Sequence, residues 1–353
     1  MSRKRRINNE LKMKKLLRIQ QKLIPQVIEL MERRYLLLRQ ISLSEPVGRR
    51  SLSNILGISE RIVRAETEFL KEQQLIDVAV SGMTITKEGA MILDELKDFM
   101  SEVKGLSTLQ EEVRQKLGIK KVLLVPGSFD SNETLLKDVA RCGSEYFLDV
   151  LKDGDVVSIT GGSTMLEFAN SIKTDKKYNN VIVVPARGSM GKDVEHQSNN
   201  VVAIASKKLN SNYKVLHLPD ELGEEAIKTL AQEPEIKSTL DIIKKTDILV
   251  FGIGKADEMA RKRRLSDEKA EEIIQKGGVG EAFGHYFNEA GEIVCKLNTI
   301  GIDLETFKNI KESIAIFAGK RKVDALIAMT NINKNIVLVT DEANGYKILE
   351  ELN

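Results

Sequence analysis

Residues 155–165, Asp155-Val-Val-Ser-Ile-Thr-Gly-Gly-Ser-Thr-Met165, decide the fold. Val156–Thr160 reads as a buried strand, Gly161-Gly162-Ser163-Thr164 as a turn, and Leu166, Phe168 and Ile172 as the apolar side of a helix that starts at once. A strand feeding a glycine turn and a helix N-terminus is an anion site in outline. Backbone N–H groups converge there, the helix dipole favours negative charge, and two hydroxyls stand beside them. Glycine lets a phosphate reach the backbone. By itself the turn serves equally well as a tight reversal with an N-cap.

Working outward, apolar strand segments follow one another from Lys120 onward: Lys120–Pro126, Val156–Thr160, Val181–Pro185, Val201–Ala205, Lys214–Leu218, Asp247–Gly252, Ile293–Lys296, Ser313–Ala318, Ala325–Met329 and Ile336–Thr340. Helical patterns separate many of them, at 133–151, 164–172, 224–231, 235–244, 266–276, 303–309 and 341–351. That alternation predicts a mostly parallel, doubly wound α/β sheet of Rossmann-like type covered on both faces. Ligands of such sheets sit beyond the carboxyl ends of the strands. Thr160-Gly-Gly-Ser-Thr164, Ala186-Arg187-Gly188, Gly252-Ile-Gly-Lys255 and Ala318-Gly-Lys-Arg-Lys322 all fall at such ends, and three of the four carry basic side chains. A small, negatively charged ligand is expected. Gly252-Ile-Gly lacks the third glycine of a dinucleotide fingerprint.

The 353 residues allow two or three domains, and no apolar run approaches the ~20 residues of a membrane span. The start, Met-Ser-Arg-Lys-Arg-Arg, has no apolar stretch behind it to make a secretory signal. Cys142 and Cys295 form no CxxC pair and no metal spacing, which fits a reducing cytoplasm. No metal and no cofactor are expected. Charge is uneven: residues 1–74 hold 17 Lys and Arg against 8 Glu, so the front carries +9 and the remainder −7 of a net +2. A basic front on an acidic body points to a polyanion partner for the front alone, against the plainer alternative of a solvated helical surface.

That front opens with a basic arm, Arg3–Arg6, and a helix expected over 9–39, interrupted at Pro25. Then comes Gly48-Arg-Arg-Ser-Leu-Ser-Asn-Ile-Leu-Gly-Ile-Ser-Glu-Arg-Ile-Val-Arg64. Leu52, Ile55 and Leu56 give a short amphipathic helix, and Gly57 supplies a left-handed turn. Ser59 caps a second helix whose inward positions are Ile62, Val63, Phe69 and Leu70. This is a helix-turn-helix, with an αα-hairpin of no DNA role as the alternative. Its second helix offers Glu60, Arg61 and Arg64 to base edges, with Arg49 and Arg50 for phosphates. Residues 76–86 alternate around Ser81-Gly82 as a wing-type hairpin. The expected division is a winged helix-turn-helix DNA-binding domain over 1–90, a helical connector, with a dimerising helix as its alternative reading, over 91–117, and an effector domain over 118–353.

In this order, the helix-turn-helix, Thr160-Gly-Gly-Ser-Thr164, Val184-Pro-Ala-Arg-Gly188, Phe251-Gly-Ile-Gly254 and Gly280-Glu-Ala-Phe-Gly-His-Tyr-Phe287 resemble the SorC group of bacterial sugar-binding transcriptional regulators, over essentially the whole chain. The resemblance implies a repressor of a lower-glycolytic operon, bound to double-stranded operator DNA as a homodimer or homotetramer and relieved by a phosphorylated sugar, fructose 1,6-bisphosphate first. It also implies an effector domain akin to sugar-phosphate isomerases and deaminases. By position, Gly161, Gly162, Ser163 and Thr164 would hold one phosphate, with Arg187 and Lys322 pairing its charge. Gln197 and Glu281 would meet the sugar or the region of the second phosphate, Glu281 either accepting from hydroxyls or fixing a basic side chain. Lys262 stands where the pattern has an arginine, Ser163 where it has threonine, and Ser128-Phe129 where a more acidic turn is expected. Lysine keeps the charge without the bidentate fork, so a neighbouring arginine is the alternative second-phosphate contact. Enzyme relatives carry Asp-Gly-His after the corresponding strand; here the run is Gly252-Ile-Gly-Lys-Ala-Asp-Glu, and the histidines are His196, His217 and His285. A sensor is expected, with a sugar-phosphate isomerase or deaminase fused to a DNA-binding domain as the alternative.

Overall fold

The structure is a computed structural model that describes residues 23–103, 105–189, 193–219 and 222–353. The arm Arg3–Arg6 and the first half of the helix expected over 9–39 lie outside the described residues. The chain divides into two compact units, residues 1–107 and 108–353.

In the first unit a helix runs from Pro25 to Ser44, its proline at the N-terminal position where no amide donor is needed. Helices Arg49–Leu56 and Glu60–Glu72 follow, joined through Gly57 at φ +64°. The Ser59 hydroxyl caps the second by accepting from the Ile62 amide at 3.4 Å, and Ser53 Oγ donates to Ile58 O at 2.6 Å across the turn. Leu37, Leu38, Ile41, Leu52, Val63 and Leu70 are sealed in one core, each such burial contributing about 1.5–3 kcal/mol. Ile62, expected inside, is on the surface: it sits one position before Val63, whose phase faces the core. Strands β1 (Ile76–Ala79) and β2 (Gly82–Ile85) form the antiparallel hairpin, with Ile76 opposite Ile85. Helix Lys87–Val103 ends the unit before Gly105, which turns at φ +67°.

Residues 91–117, expected as a helical connector, fall in two helices. The second, Leu106–Leu117, packs with the effector unit, where Gln110 Oε1 accepts from the Leu124 amide at 2.8 Å and Lys334 Nζ donates to Leu117 O at 3.0 Å.

The second unit is built on a seven-stranded sheet, all parallel, in the order β3-β13-β12-β7-β4-β5-β6. The strands are β3 (Lys121–Val125), β4 (Val156–Ile159), β5 (Ile182–Pro185), β6 (Asn212–Tyr213), β7 (Ile248–Phe251), β12 (Glu312–Ile316) and β13 (Ile336–Asp341). Alternation along β3 shows the two faces: Leu123 and Val125 meet the cluster built on helix Leu135–Val150, whereas Leu124 lies against the opposite layer, near the Cβ direction of Gly345. Phe147 and Phe168, edge to face at 5.5 Å, anchor the first layer with Val139, Val201 and Val202. A four-stranded antiparallel sheet, β8 (Gly254–Lys255), β9 (Gly280–Ala282), β10 (His285–Phe287) and β11 (Ile293–Lys296), grows from the end of β7.

Three expected strands are corrected. Val201–Ala205 lies in helix Ser198–Leu209, closed by Asn210 in the left-handed conformation, and Ala325–Met329 lies in helix Val323–Ile332. Both are apolar, largely buried runs, which carry no period to separate helix from strand. Lys214–Leu218 is a loop after the two residues of β6.

Candidate functional site

Following the chain through the large sheet, β4, β5 and β6 build toward one edge, and β7, β12 and β13 toward the other. The order reverses between β4 and β7, and that crevice is where ligands of open α/β sheets bind. The turn after β4 occupies it. The Thr160 amide donates to Val250 O at 3.1 Å, and Thr160 Oγ1 accepts from the Gly252 amide at 3.3 Å. The four strand-end turns singled out from sequence follow β12, β7, β4 and β5, which are consecutive neighbours.

Two helices start here with their N-termini together. Helix Ser163–Ser171 begins after Gly162, and helix Ser198–Leu209 after Gln197; neither has a side-chain cap or an acidic residue in its first turn. The Gly162 amide donates to His196 O at 2.8 Å, which locks one turn against the other. Both glycines are dictated by this packing. A Cβ on Gly161 would stand 2.5 Å from His196 O and 3.0 Å from Ser198 N, and Gly162 sits at φ +115° with open space where its Cβ would point. The amides of Ser163, Thr164 and Met165, in the first turn, have no acceptor within their helix. Ser163 is exposed, Thr164 buried and Gln197 half-buried.

Arg187 follows β5. Its carbonyl accepts from Ser198 Oγ at 3.1 Å, so its main chain abuts the second helix start. Its guanidinium is turned inward: Nη1 and Nη2 both donate to Glu281 Oε1 at 3.3 Å. The same oxygen accepts from Arg263 Nη2 at 3.0 Å and from the Gly284 amide at 2.9 Å. Glu281 Oε1 thus holds two guanidinium groups and a main-chain amide. Arg263 was not singled out from sequence. In the run Arg261–Arg264, Lys262 is the last helical residue and exposed, Arg261 pairs with Asp257, and Arg263 alone turns inward, its side chain 1% exposed.

Beyond β12, Gly319 turns at φ +91° and its amide donates to Asp341 Oδ2 at 3.2 Å, while the Lys320 amide donates to Asp130 Oδ2 at 3.3 Å. Asp341 is buried, which raises its carboxyl above the usual range despite the amides it accepts from. These carboxylates hold the turn that delivers Lys322. Burial lowers the Lys322 ammonium, Glu258 opposes that shift, and Lys262 and Arg321 add to it. Lys262 and Lys322 thus lie within reach of each other's field. Phe129 lies against Gly319, at 3.1 Å from its Cβ direction.

The histidines do not form an acid–base pair. His196 Nδ1 is 2.6 Å from Asp193 Oδ2 on the surface, and His285 is buried with Nδ1 3.0 Å from Phe283 O; burial pushes it below the ordinary imidazole value. Among the described residues no cluster of His, Cys, Asp and Glu suits a metal ion.

In the first unit, Arg61 and Arg64 stand exposed on helix Glu60–Glu72, with Arg49 and Arg50 at the start of the helix before it. Arg50 Nε bonds Glu60 at 3.0 Å, Arg64 Nε bonds Glu68 at 3.2 Å, and Arg49 approaches Glu68 at 3.9 Å. Such exposed pairs hold weakly, by about 0–1 kcal/mol.

A winged helix of DNA-binding type joined to an α/β unit of sugar-binding type defines a ligand-responsive transcriptional regulator, and the chain belongs to the SorC family of sugar-binding transcriptional regulators. Residues 101–350 match the family described as "Putative sugar-binding domain", and residues 30–100 match the CggR N-terminal DNA binding domain. Within the family the chain is similar to two central glycolytic genes regulators. It is 37% identical to that of Priestia megaterium and 38% to that of Bacillus subtilis, over 97% and 96% of this chain and 100% of each relative. Among solved structures, a SorC family regulator from Enterococcus faecalis is 32% identical, with a TM-score of 0.64 over 69% of this chain and 99% of that one. The full-length sorbitol operon regulator SorC of Klebsiella pneumoniae shares the fold at 17% identity, with a TM-score of 0.65 over 86% of this chain and 94% of its own.

Proposed function

We propose that this protein represses a glycolytic operon and leaves its operator when fructose 1,6-bisphosphate occupies the β4/β7 crevice. The observation that carries the proposal is the meeting of two uncapped helix N-termini, Ser163 and Ser198, around Gly161-Gly162 at the topological switch point. Backbone amides there take one phosphate, with Arg187 and Lys322 pairing its charge, and Lys262 or a neighbouring arginine meets the other. The names of the two relatives, central glycolytic genes regulators, support a glycolytic effector.

The chain acts as a sensor and not as an enzyme. Sugar-phosphate isomerisation needs a base at carbon and an acid at oxygen, and His285 is packed away against Phe287 while His196 is tied to Asp193. Operator binding is by a homodimer or homotetramer in the cytoplasm, each recognition helix placing Arg61 and Arg64 in a major groove. The ligand alters DNA affinity through its differential affinity for two subunit arrangements.

The roles separate by mutation. Arg187→Ala abolishes the response of operator binding to fructose 1,6-bisphosphate and leaves binding itself intact, whereas Arg64→Ala weakens operator binding and leaves the effector site intact. Loss of both properties in either variant, measured by fluorescence anisotropy and ligand titration, contradicts the assignment.

A further inference from the structure

Arg64 and Glu68 lie one turn apart on the exposed side of helix Glu60–Glu72, which also carries Arg61 and Ala65. Arg64 Nε donates to Glu68 Oε1 at 3.2 Å, and among the described residues neither Nη atom of Arg64 makes a hydrogen bond. The carboxylate takes the Nε side of the guanidinium and leaves its outer edge, Nη1 and Nη2, open. Arg50 repeats the arrangement, its Nε donating to Glu60 Oε1 at 3.0 Å. Glu68 also reaches Arg49 Nη2, on the preceding helix, at 3.9 Å.

Stability does not account for Glu68. Arginine before glutamate is the less favourable order for such a pair on a helix. The side chains of Arg64 and Glu68 are 69% and 53% exposed, a setting in which an ion pair adds little to the fold. Glu66, by contrast, is buried against Arg33 and Arg34 and ties two helices together. On a surface that meets DNA, a carboxylate repels every phosphate it approaches, whatever the sequence. Such a charge is compensated only where it improves a contact with a base. The base that accepts the two-pronged edge of an arginine is guanine, through O6 and N7.

We propose that Glu68 determines sequence specificity at the DNA interface: it holds Arg64 by Nε so that the Nη1–Nη2 edge meets O6 and N7 of a guanine in the major groove. Glu68 touches no base and is a positioning residue. Its charge also lowers affinity for DNA that lacks this guanine, because repulsion without a base contact is uncompensated. This role rests on the base-reading role given to Arg64 above.

Selection by the full-length protein from a pool of random-sequence duplexes yields its preferred sequence, and Arg64→Ala marks the guanine by losing the preference at that position. Fluorescence anisotropy then compares three duplexes: the selected one, the same with that guanine–cytosine pair replaced by adenine–thymine, and one of random sequence. Wild type favours guanine over adenine there by about tenfold or more. Glu68→Ala cuts that preference to about threefold or less and binds the random duplex about threefold more tightly, since a repelling charge is gone. Glu68→Gln keeps an acceptor for Nε without the charge. It holds the guanine preference within about threefold of wild type and tightens random DNA as the alanine does. A guanine preference unchanged in Glu68→Ala overturns the positioning role, as does a glutamine variant that loses as much preference as the alanine. Equal weakening on all three duplexes shows a merely structural residue and overturns it too, and random DNA bound no more tightly overturns the part played by charge. An Arg64→Ala protein that keeps every base preference refutes the reading of Arg64 itself, a result distinct from these.

Discussion

Alanine at Gly161 and at Gly162 separates what the glycine turn does for the fold from what it does for a ligand. At Gly161 the new methyl would stand 2.5 Å from His196 O and 3.0 Å from Ser198 N, both main-chain atoms that cannot rotate away. The second helix start must shift, an overpacking cost of about 1–3 kcal/mol. For a unit of this size each kcal/mol moves the melting temperature by roughly 2–4 °C, so Gly161→Ala melts about 2–12 °C below wild type. At Gly162 no atom lies within 4 Å of the Cβ direction, but φ of +115° is glycine territory, and the strain is again about 1–3 kcal/mol. The two variants therefore lose similar stability for different reasons. Only at Gly162 does the methyl project into the open side of the turn. Differential scanning fluorimetry of both variants, with and without fructose 1,6-bisphosphate, reads both effects: Gly162→Ala gives no ligand-induced shift at a concentration that saturates wild type. A Gly162→Ala protein that melts low yet responds with the wild-type midpoint refutes the cradle, and a Gly161→Ala protein that melts with wild type refutes the packing.

Three further outcomes follow. Lys322 has a folded-state ammonium lowered by burial and by Lys262 and Arg321, so its stabilising contribution is fully present above the ordinary value of 10.5 and is lost as pH falls through the lowered one. At neutral pH its charge is a cost; Lys322→Met raises the melting temperature of the free protein while abolishing the shift with fructose 1,6-bisphosphate, and a lower melting temperature counts against the strained-cation account. Asp341 behaves in the opposite sense: its raised carboxyl favours the fold below the ordinary 3.8, and that contribution disappears as pH rises through the raised value. The stability difference between wild type and Asp341→Asn, measured by urea unfolding at stepped pH, therefore declines from acid toward neutrality, and a difference that grows instead contradicts the burial argument. Ser59→Ala removes the acceptor for the Ile62 amide and destabilises the DNA-binding unit by about 1 kcal/mol, seen as earlier loss of helical circular dichroism, with no change in effector affinity.

Much of this was legible because two periodicities change hands cleanly along the chain. Val156–Thr160 before Gly161-Gly162, and Leu52 to Gly57 to Ser59 in the front unit, each combine an apolar pattern with the residue that must end it. Where no such punctuation exists the reading failed. Val201–Ala205 is β-branched and alanine-rich without a polar face, and its helical state is set by the Ser198 start, which packs on Gly161, and by Asn210 beyond its end. The small antiparallel sheet was seen only in Ile293–Lys296, because β8, β9 and β10 are two or three residues long and gain their stability from one another. Arg263 was hidden in a run of four cations, where only the phase at which helix Ala256–Lys262 ends decides which side chain turns inward. Its partner Glu281 offered the one available signal: a carboxylate among anion-binding turns needs a cation of its own.

The central claim is that a bisphosphorylated sugar fills the β4/β7 crevice and weakens operator binding. The direct measurement is a thermal-shift titration of the intact protein with fructose 1,6-bisphosphate, fructose 6-phosphate, fructose and inorganic phosphate, paired with operator binding at each saturating concentration. At a hundred times the dissociation constant the ligand adds about 2.7 kcal/mol. The account predicts a rise of roughly 5–11 °C with the bisphosphate, a smaller rise with the monophosphate, none with fructose, and weakened operator binding only in the presence of the bisphosphate. No shift with any phosphorylated sugar, or a shift without any change in operator affinity, contradicts it.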